Sequence, residues 1–183
     1  MSCPSFNEAQ LKQFEKSIEK TGKIEVEVGF RIEKNGKLRV TDECVGTYCS
    51  VVLKPGKKQV GTWHSHPAKP SNILAPSPDD QYLAWVRGDS FHCVGGFGQY
   101  FEEKLDYPTT RCWVTKMSSK QMHEDKRVLD RVLFWSKHKE RTDRAPRHLK
   151  ALMLDQTEKQ FEKLGDAIGR SIYAKRCEYV HEP

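Results

Sequence analysis

Two histidines and an aspartate in one stretch of the chain have the residue types and spacing of a metal site. His64 and His66 stand at positions i and i+2 where a predicted strand ends. Because strand side chains alternate between faces, both imidazole rings point the same way. Asp80 follows after a single loop, in the first turn of a predicted helix with Ser77 as its N-cap. Two imidazoles and one carboxylate, with a position left for water, are the ligand set of a catalytic zinc ion.

Both halves of this pattern also have ordinary explanations. Ser-x-x-Asp before an apolar run is close to a capping box, so helix initiation alone accounts for Ser77 and Asp80. A His-x-His pair also occurs on half-exposed strands that bind no metal. The two halves are separated by one loop, however, and this conjunction favours a metal site over two unrelated features.

Another acidic group is expected from a strand upstream. Segment 23–33 places its apolar residues on one face and its polar residues with a glycine on the other: Ile24, Val26, Val28, Phe30 and Ile32 against Glu25, Glu27, Gly29, Arg31 and Glu33. This period of two predicts a half-buried strand, and Asn35-Gly36 predicts the hairpin turn that closes it. By this pattern alone, all three glutamates are equally well explained as the water-facing side of an ordinary strand.

The metal-site motif resembles the signature of a known enzyme family. The JAMM (JAB1/MPN/Mov34) zinc metallopeptidases have the pattern His-x-His-Pro, a loop and then Ser-x-x-Asp. This chain matches it in segments 61–67 (Gly-Thr-Trp-His-Ser-His-Pro) and 76–80 (Pro-Ser-Pro-Asp-Asp). The resemblance implies that His64, His66 and Asp80 bind Zn2+ and that Ser77 holds the oxyanion. The loop is about three residues longer than the family spacing, which loops tolerate, and Asp79 is the alternative ligand in a shifted register.

The resemblance also implies a general base, a reaction and a fold. The family glutamate stands just before a small residue on an early strand, as Glu-x-Gly, and Glu27-Val28-Gly29 fits this form, with Glu25 as the second choice. Glu27 is then the general base for a zinc-activated water. The implied reaction is peptidase or isopeptidase cleavage at the C-terminal tail of a ubiquitin-like protein conjugate or precursor. The implied α/β fold is a JAMM/MPN-like (cytidine-deaminase-like) mixed β-sheet flanked by helices.

Patterns elsewhere predict the elements that position the site. An amphipathic helix is expected over residues 5–21, with Ser5 and Glu8 as its capping box and Gly22 as its end. A short helix is expected from Ser77 to near Gly88. Further strands are expected over residues 37–44, 47–53, 90–96 and 110–117.

The C-terminal third has a different character from the rest. From residue 118 onward apolar residues recur at helical spacing, with a polar and basic connector before Pro146. We therefore expect two parts, a JAMM/MPN metallopeptidase core over residues 1–117 and a C-terminal helical extension over residues 118–183, packed on or next to the core.

Composition bounds the partners and the compartment. The formal net charge of +6 comes from 31 Lys and Arg against 25 Asp and Glu, mixed along the chain. Solvated helix faces explain it better than a nucleic-acid surface, although residues 126–150 keep nucleic-acid binding as an alternative. No apolar run approaches the roughly 20 residues of a membrane span, so a cytoplasmic (or nuclear) protein without membrane contact is expected.

The other cysteines and histidines predict no second site. Six cysteines are scattered without a Cys-x-x-Cys pair, so neither disulfides nor a thiolate zinc site are expected, and Cys93 is expected to be a small core residue. Five histidines are expected at the surface or at helix caps: His92, His123, His138, His148 and His181.

Two rival classes of function stay open. One is a noncatalytic MPN scaffold module, which the intact set of His64, His66, Asp80 and Glu27 disfavours. The other is a nucleic-acid-associated protein of the RadC-like kind. Deamination is disfavoured because the Pro-Cys-x-x-Cys ligand pair is absent, and the His-Glu-x-x-His motif of classical zincins is also missing.

Overall fold

The described part of the chain is a mixed α/β structure. The computed structural model describes residues 2–24, 26–46, 58–67, 74, 76, 80, 84, 87–97, 105, 107–116 and 173–182. The elements are α1 (Glu8–Ile24), β1 (Glu27–Asn35), β2 (Lys37–Val40), β3 (Cys44–Gly46), β4 (Gln59–Ser65), β5 (Phe91–Gly96), β6 (Thr109–Thr115) and β7 (Tyr173–Val180). The prediction of an α/β fold built on a mixed sheet is confirmed at this level.

The seven strands form a single sheet in the order β2-β1-β4-β5-β6-β7, with β3 pairing beside β2 on the outer edge of β1. The β4–β5 pair is parallel, and the other pairs are antiparallel. A parallel pair needs a crossover connection, and here the crossover runs from Ser65 to Phe91. The predicted ligand Asp80 lies within it, so the crossover returns Asp80 to the strand that carries His64.

The first helix forms where it was predicted but begins and ends later. Its capping box is made by Asn7 and Gln10, not by Ser5 and Glu8. The Gln10 backbone N–H donates to Asn7 Oδ1 at 2.9 Å, and the Asn7 N–H donates to Gln10 Oε1 at 3.0 Å. Glu8 instead pairs with Lys12 one turn later. Gly22 does not end the helix, which continues to Ile24.

The hydrophobic core lies between α1 and one face of the sheet. Phe14 of α1 stacks on Trp63 of β4, with ring centroids 4.9 Å apart and planes 7° apart, and Phe30 of β1 packs at 5.4 Å from the same indole. Val28, Phe30 and Ile32 are all fully buried. The period-two prediction for β1 is therefore confirmed from Glu27 onward.

The hairpin after β1 forms as predicted. Gly36 has φ of 76°, a conformation that glycine adopts at little cost, and Asn35 pairs with Lys37. The returning strand is shorter than expected, because β2 ends at Val40 and a separate strand, β3, begins at Cys44. The strand predicted over residues 47–53 lies outside the described residues.

The cysteine prediction is wrong for four of the six thiols. Cys93 on β5 is directly opposite Cys112 on β6 and is bonded to it, and Cys3 is bonded to Cys177 on β7. Cys93 is nevertheless a fully buried core residue, as expected. The prediction missed the pairs because Cys93 and Cys112 are adjacent only through strand register, and Cys3 and Cys177 are 174 residues apart in sequence. Disulfides persist in oxidising compartments, so they weigh against the cytoplasmic prediction.

The last strand changes the description of the C-terminal third. Tyr173–Val180 form β7, which pairs with β6 at the end of the sheet, so these residues are strand and not part of a helical extension. Residues 117–172 lie outside the described part, and the division at residue 118 stays a prediction there. Among the described residues, no helix combines the length and the apolar character needed to cross a bilayer.

Candidate metal centre

The two predicted imidazole ligands meet at the C-terminal end of β4. His64 is the penultimate residue of the strand, and the ladder continues one residue past its end because the His66 N–H donates to the Gly95 carbonyl at 2.8 Å. The Nε2 atoms of His64 and His66 are 2.8 Å apart. The strand geometry therefore turns both rings toward one point, as the His-x-His spacing predicted.

The predicted carboxylate from the crossover reaches the Nε2 atom of His64. Asp80 Oδ2 lies 3.5 Å from His64 Nε2, and both side chains are largely buried. Ligands bound to zinc at about 2.0–2.1 Å lie about 3.3 Å from each other in a tetrahedron. The distances from His64 Nε2 to His66 Nε2 (2.8 Å) and to Asp80 Oδ2 (3.5 Å) are close to that value. The spacing of each of these two pairs is therefore close to that of two ligands of one zinc ion.

A helical cap at Gly88 lies on the C-terminal side of Asp80 in the crossover. Asp80, Ala84 and Arg87 are helical, and Gly88 follows with φ of 68°. The Asp89 N–H donates to the Ala84 carbonyl at 3.0 Å, which is the hydrogen bond of a Schellman cap. The predicted end of this helix near Gly88 is confirmed.

The carboxylate of Asp89 then anchors the start of β5. It accepts hydrogen bonds from Gln59 Nε2 at 2.9 Å and from Arg87 Nε at 3.1 Å. Burial raises the pKa of the Asp89 carboxyl, and the Arg87 charge and the Gln59 hydrogen bond oppose that rise. The crossover that carries Asp80 is therefore tied to β4 through the Gln59 side chain.

Glu27 lies at the start of β1, on the same face of the sheet as His64. Gly29, two residues later, is paired directly with His64, and side chains two apart share a face. Burial raises the pKa of Glu27, His66 opposes the rise, and the charge of Asp80 adds to it. The Asp80 charge repels an ionised Glu27, and a bound cation would offset that repulsion.

A further histidine, His92 on β5, belongs to the site and was missed. Its Nε2 lies 3.2 Å from His64 Nδ1, and its Nδ1 lies 2.8 Å from the Thr62 hydroxyl. Only 2 % of His92 is exposed, so the prediction of a surface or capping residue is wrong. Burial, and next the nearby His64, lower its pKa to about 3, so the ring is neutral.

The prediction is also wrong for His181, which is buried and lies at 3.0 Å from the Thr110 hydroxyl on the core side of the sheet. The other three histidines of that prediction lie outside the described residues: His123, His138 and His148. His181 has no place in the metal site, since its partner Thr110 bonds to Trp63 and not to a ligand.

Ser65, the residue between the two predicted ligands, secures this strand end from the core side. Its hydroxyl accepts a hydrogen bond from the Val28 N–H at 2.9 Å and bonds to the Thr21 hydroxyl of α1. Gly95 of β5 lets the Trp63 ring pack closely against the β5 backbone, because a Cβ at position 95 would lie 2.3 Å from that ring. Strand β4 is therefore held on one face while its other face presents the imidazoles.

Two overlapping triads bring their ligand atoms within 4.8 Å of one another, and His64 belongs to both. They are Glu27 with His64 and His66, and His64 with Asp80 and His92. The donor set of imidazoles and carboxylates fits a divalent metal ion. Of the predicted residues, Glu27 and His66 form one triad with His64, and Asp80 joins His64 in the other. Ser77 and the alternatives Asp79 and Glu25 lie outside the described residues.

The signal for His92 was present but incomplete in the sequence. A histidine inside the apolar segment Phe91–Gly96 has to be buried, and a buried imidazole needs hydrogen-bond partners. Its partners, Thr62 and His64, become neighbours only through the parallel register of β4 and β5. No local spacing encodes that register.

Comparison with known proteins adds no assignment. No protein-family model and no curated protein matches the chain. Its function is therefore inferred from the side chains gathered at the end of β4.

Proposed function

We propose that the protein is a zinc-dependent metallopeptidase of the JAMM type. One observation carries the proposal: His66 Nε2 and Asp80 Oδ2 both approach His64 Nε2, at 2.8 Å and 3.5 Å. The resemblance of segments 61–67 and 76–80 to the JAMM signature supports the same ligand set. A zinc ion held there supplies Lewis-acid activation of water and of a substrate carbonyl.

Glu27 has the position and the electrostatics of a general base. It forms a triad with His64 and His66, and its pKa, raised by burial, makes it a better proton acceptor than an ordinary surface carboxylate. In the proposed reaction Glu27 takes the proton of the attacking water and passes it to the departing amine. Ser77 donates a hydrogen bond to the oxyanion of the tetrahedral intermediate. These reaction steps form no covalent bond between the enzyme and the substrate.

The proposed substrate is the C-terminal tail of a ubiquitin-like protein, joined by a peptide or isopeptide bond. The resemblance to the JAMM family is the support for this choice. An extended tail of small residues can add to a sheet edge by main-chain hydrogen bonds.

The test is hydrolysis of a panel of ubiquitin-like fusions by the wild-type protein, with and without a zinc chelator. We expect cleavage that chelation abolishes and added zinc restores. Glu27→Gln should reduce kcat about 10²- to 10⁴-fold while zinc stays bound, because the amide cannot accept the proton. Glu33→Gln is the matched control, since Glu33 lies on the same face of β1 and pairs with Arg31 instead of the site.

Three outcomes would contradict the proposal in different ways. Cleavage that survives Glu27→Gln would remove Glu27 as the base. Zinc binding without cleavage of any fusion would favour the noncatalytic module. A wild-type protein that binds no zinc would overturn the metal centre itself.

A further inference from the structure

His92 and Thr62 form a continuation of the metal site that the proposed function leaves unused. They are direct neighbours in the parallel β4–β5 register, and both are buried on the face that carries His64. The Thr62 hydroxyl is 2.8 Å from His92 Nδ1, and His92 Nε2 is 3.2 Å from His64 Nδ1. The three side chains form a series of hydrogen bonds that ends at His64 Nδ1, the ring nitrogen other than the proposed ligand atom Nε2.

Binding of a metal sets the direction of every hydrogen bond in this series. If His64 Nε2 is a ligand it carries no proton, so His64 Nδ1 carries the proton and donates it to His92 Nε2. His92 is then the tautomer protonated at Nδ1, which donates to the Thr62 hydroxyl. Thr62 suits the end of this series of hydrogen bonds, because its hydroxyl can accept the hydrogen bond that His92 Nδ1 donates.

We propose that His92 is a positioning residue that accepts a hydrogen bond from His64 and, held by Thr62, keeps His64 in the tautomer and ring orientation required to bind the metal. The inference rests on the metal centre of the proposed function and not on the hydrolysis. Metal-binding histidines generally donate their second ring N–H to a carboxylate, a backbone carbonyl or water, and loss of that partner typically weakens metal binding 10- to 100-fold. His92 Nε2 takes the place of that acceptor here.

The geometry favours this role over direct ligation by His92. His66 and Asp80 both approach the Nε2 edge of His64, whereas His92 contacts the Nδ1 atom. A metal ion bound at Nε2 would therefore lie away from the nitrogen that His92 contacts. An ion shared by His64, Asp80 and His92 would leave His66 aside.

The test is zinc affinity of the full chain, measured by competition with a chromogenic chelator. His92→Leu removes the acceptor but keeps an apolar side chain of similar size, and we expect affinity to fall 10- to 100-fold. His92→Gln restores an acceptor carbonyl, and we expect it to recover most of the loss. Thr62→Val should weaken binding by a smaller factor than His92→Leu, and Thr62→Ser should bind as the wild type does.

A second measurement needs no variant and therefore does not depend on how the variants fold. Nitrogen-15 NMR of the zinc-loaded wild type reports the imidazole tautomers. We expect His64 to be protonated at Nδ1 and His92 at Nδ1. A zinc-loaded protein with His92 protonated at Nε2 would overturn the proposed positioning role of His92.

The outcomes separate this inference from the proposed function. Equal zinc affinity in His92→Leu and the wild type, or equal losses in His92→Leu and His92→Gln, would overturn the positioning role while leaving the metal centre intact. The absorption spectrum of the cobalt-substituted protein gives a further test. If it shows one ligand fewer in His92→Leu than in the wild type, His92 is a direct ligand, and the positioning role is overturned as well. Absence of zinc binding by the wild type would instead overturn the metal centre, and with it both proposals.

Discussion

The two faces of the β4–β5 strand pair carry opposite chemistry. One face presents Trp63 and Cys93 to α1, where Trp63 stacks on Phe14 and Cys93 is bonded to Cys112. The other face presents Thr62, His64 and His92, whose polar atoms bond to one another and face Asp80. Successive residues of the same strands therefore serve a dry core and a candidate metal site.

This contrast teaches how a site can be both buried and polar. The core face is anchored by apolar burial against α1, which supports the β4–β5 register, and the Cys93–Cys112 disulfide joins β5 to β6. That register then brings Thr62, His92 and His64 to hydrogen-bonding distance without help from solvent. If the division is correct, changes on the core face should affect stability and leave metal affinity alone, and changes on the site face should do the reverse.

Trp63→Ala should have the largest effect on stability. The indole is fully buried against Phe14 and Phe30, so its loss leaves a cavity and should reduce the free energy of unfolding by about 3–5 kcal/mol. Chemical denaturation of the metal-free protein measures this. The folded fraction should still bind one zinc ion with wild-type affinity, and a parallel loss of affinity would show that the two faces are not independent.

His64→Ala should have the reverse effect. His64 is the ligand that both other predicted ligands approach, so we expect zinc affinity to fall by more than the 10- to 100-fold typical of an outer-shell change. Equilibrium dialysis against zinc measures it. His181→Gln is the matched control, since it changes a buried histidine on the core side and should leave zinc affinity unchanged. A His64→Ala protein that binds zinc normally would contradict the site.

Removal of the Cys93–Cys112 disulfide by a double Cys→Ala change should act on the core face alone. The bond joins residues 19 apart in sequence, for which the chain-entropy account gives about 3 kcal/mol of stabilisation. We expect a lower unfolding midpoint in denaturant and unchanged zinc affinity. Cys44→Ala is the control, because Cys44 takes part in neither the Cys93–Cys112 nor the Cys3–Cys177 disulfide. Peptide mapping without reductant that finds Cys112 joined to Cys177 would contradict the pairing.

The smallest effect is a pH dependence on the core side. Burial lowers the pKa of His181 below its unfolded value, so its contribution to stability is fully present above the unfolded pKa and is lost as the pH falls toward the folded pKa. Each unit of that fall costs at most about 1.4 kcal/mol for one group. We therefore expect the stability advantage of the wild type over His181→Gln to shrink between pH 8 and 5.

Thermal unfolding in the presence of chelator measures this difference, because chelation removes any contribution from bound zinc. A stability difference that is constant across the same pH range would show that His181 is not buried as a neutral ring.

Local patterns predicted much of the fold and most of the site. The alternation of Val28, Phe30 and Ile32 identified the buried face of β1, and Asn35-Gly36 identified its hairpin. The His-x-His spacing and the helix after the loop identified His64, His66 and Asp80 as neighbours. Each of these signals depends on residues close together in the chain, where strand and turn geometry follow directly from sequence spacing.

Competing local signals explain the errors at α1. Ser5 with Glu8 and Asn7 with Gln10 both have the spacing of a capping box, and the sequence does not rank them. The structure chooses the second pair, and the Gln10 amide also donates to the Leu38 carbonyl of β2. That tertiary contact favours the later start of the helix.

The sequence alone determined which residues are candidates for chemistry. Imidazoles two residues apart on a strand share a face, and the helix N-cap signal at Ser77 predicts that Asp80 lies in the first turn after the loop. The tertiary structure alone decided how His92 and Thr62 join His64, how Cys93 meets Cys112, and that Tyr173–Val180 complete the sheet. All three depend on which strands are neighbours and in what register. Register is set by packing of the whole sheet against α1, and no short segment of the chain contains it.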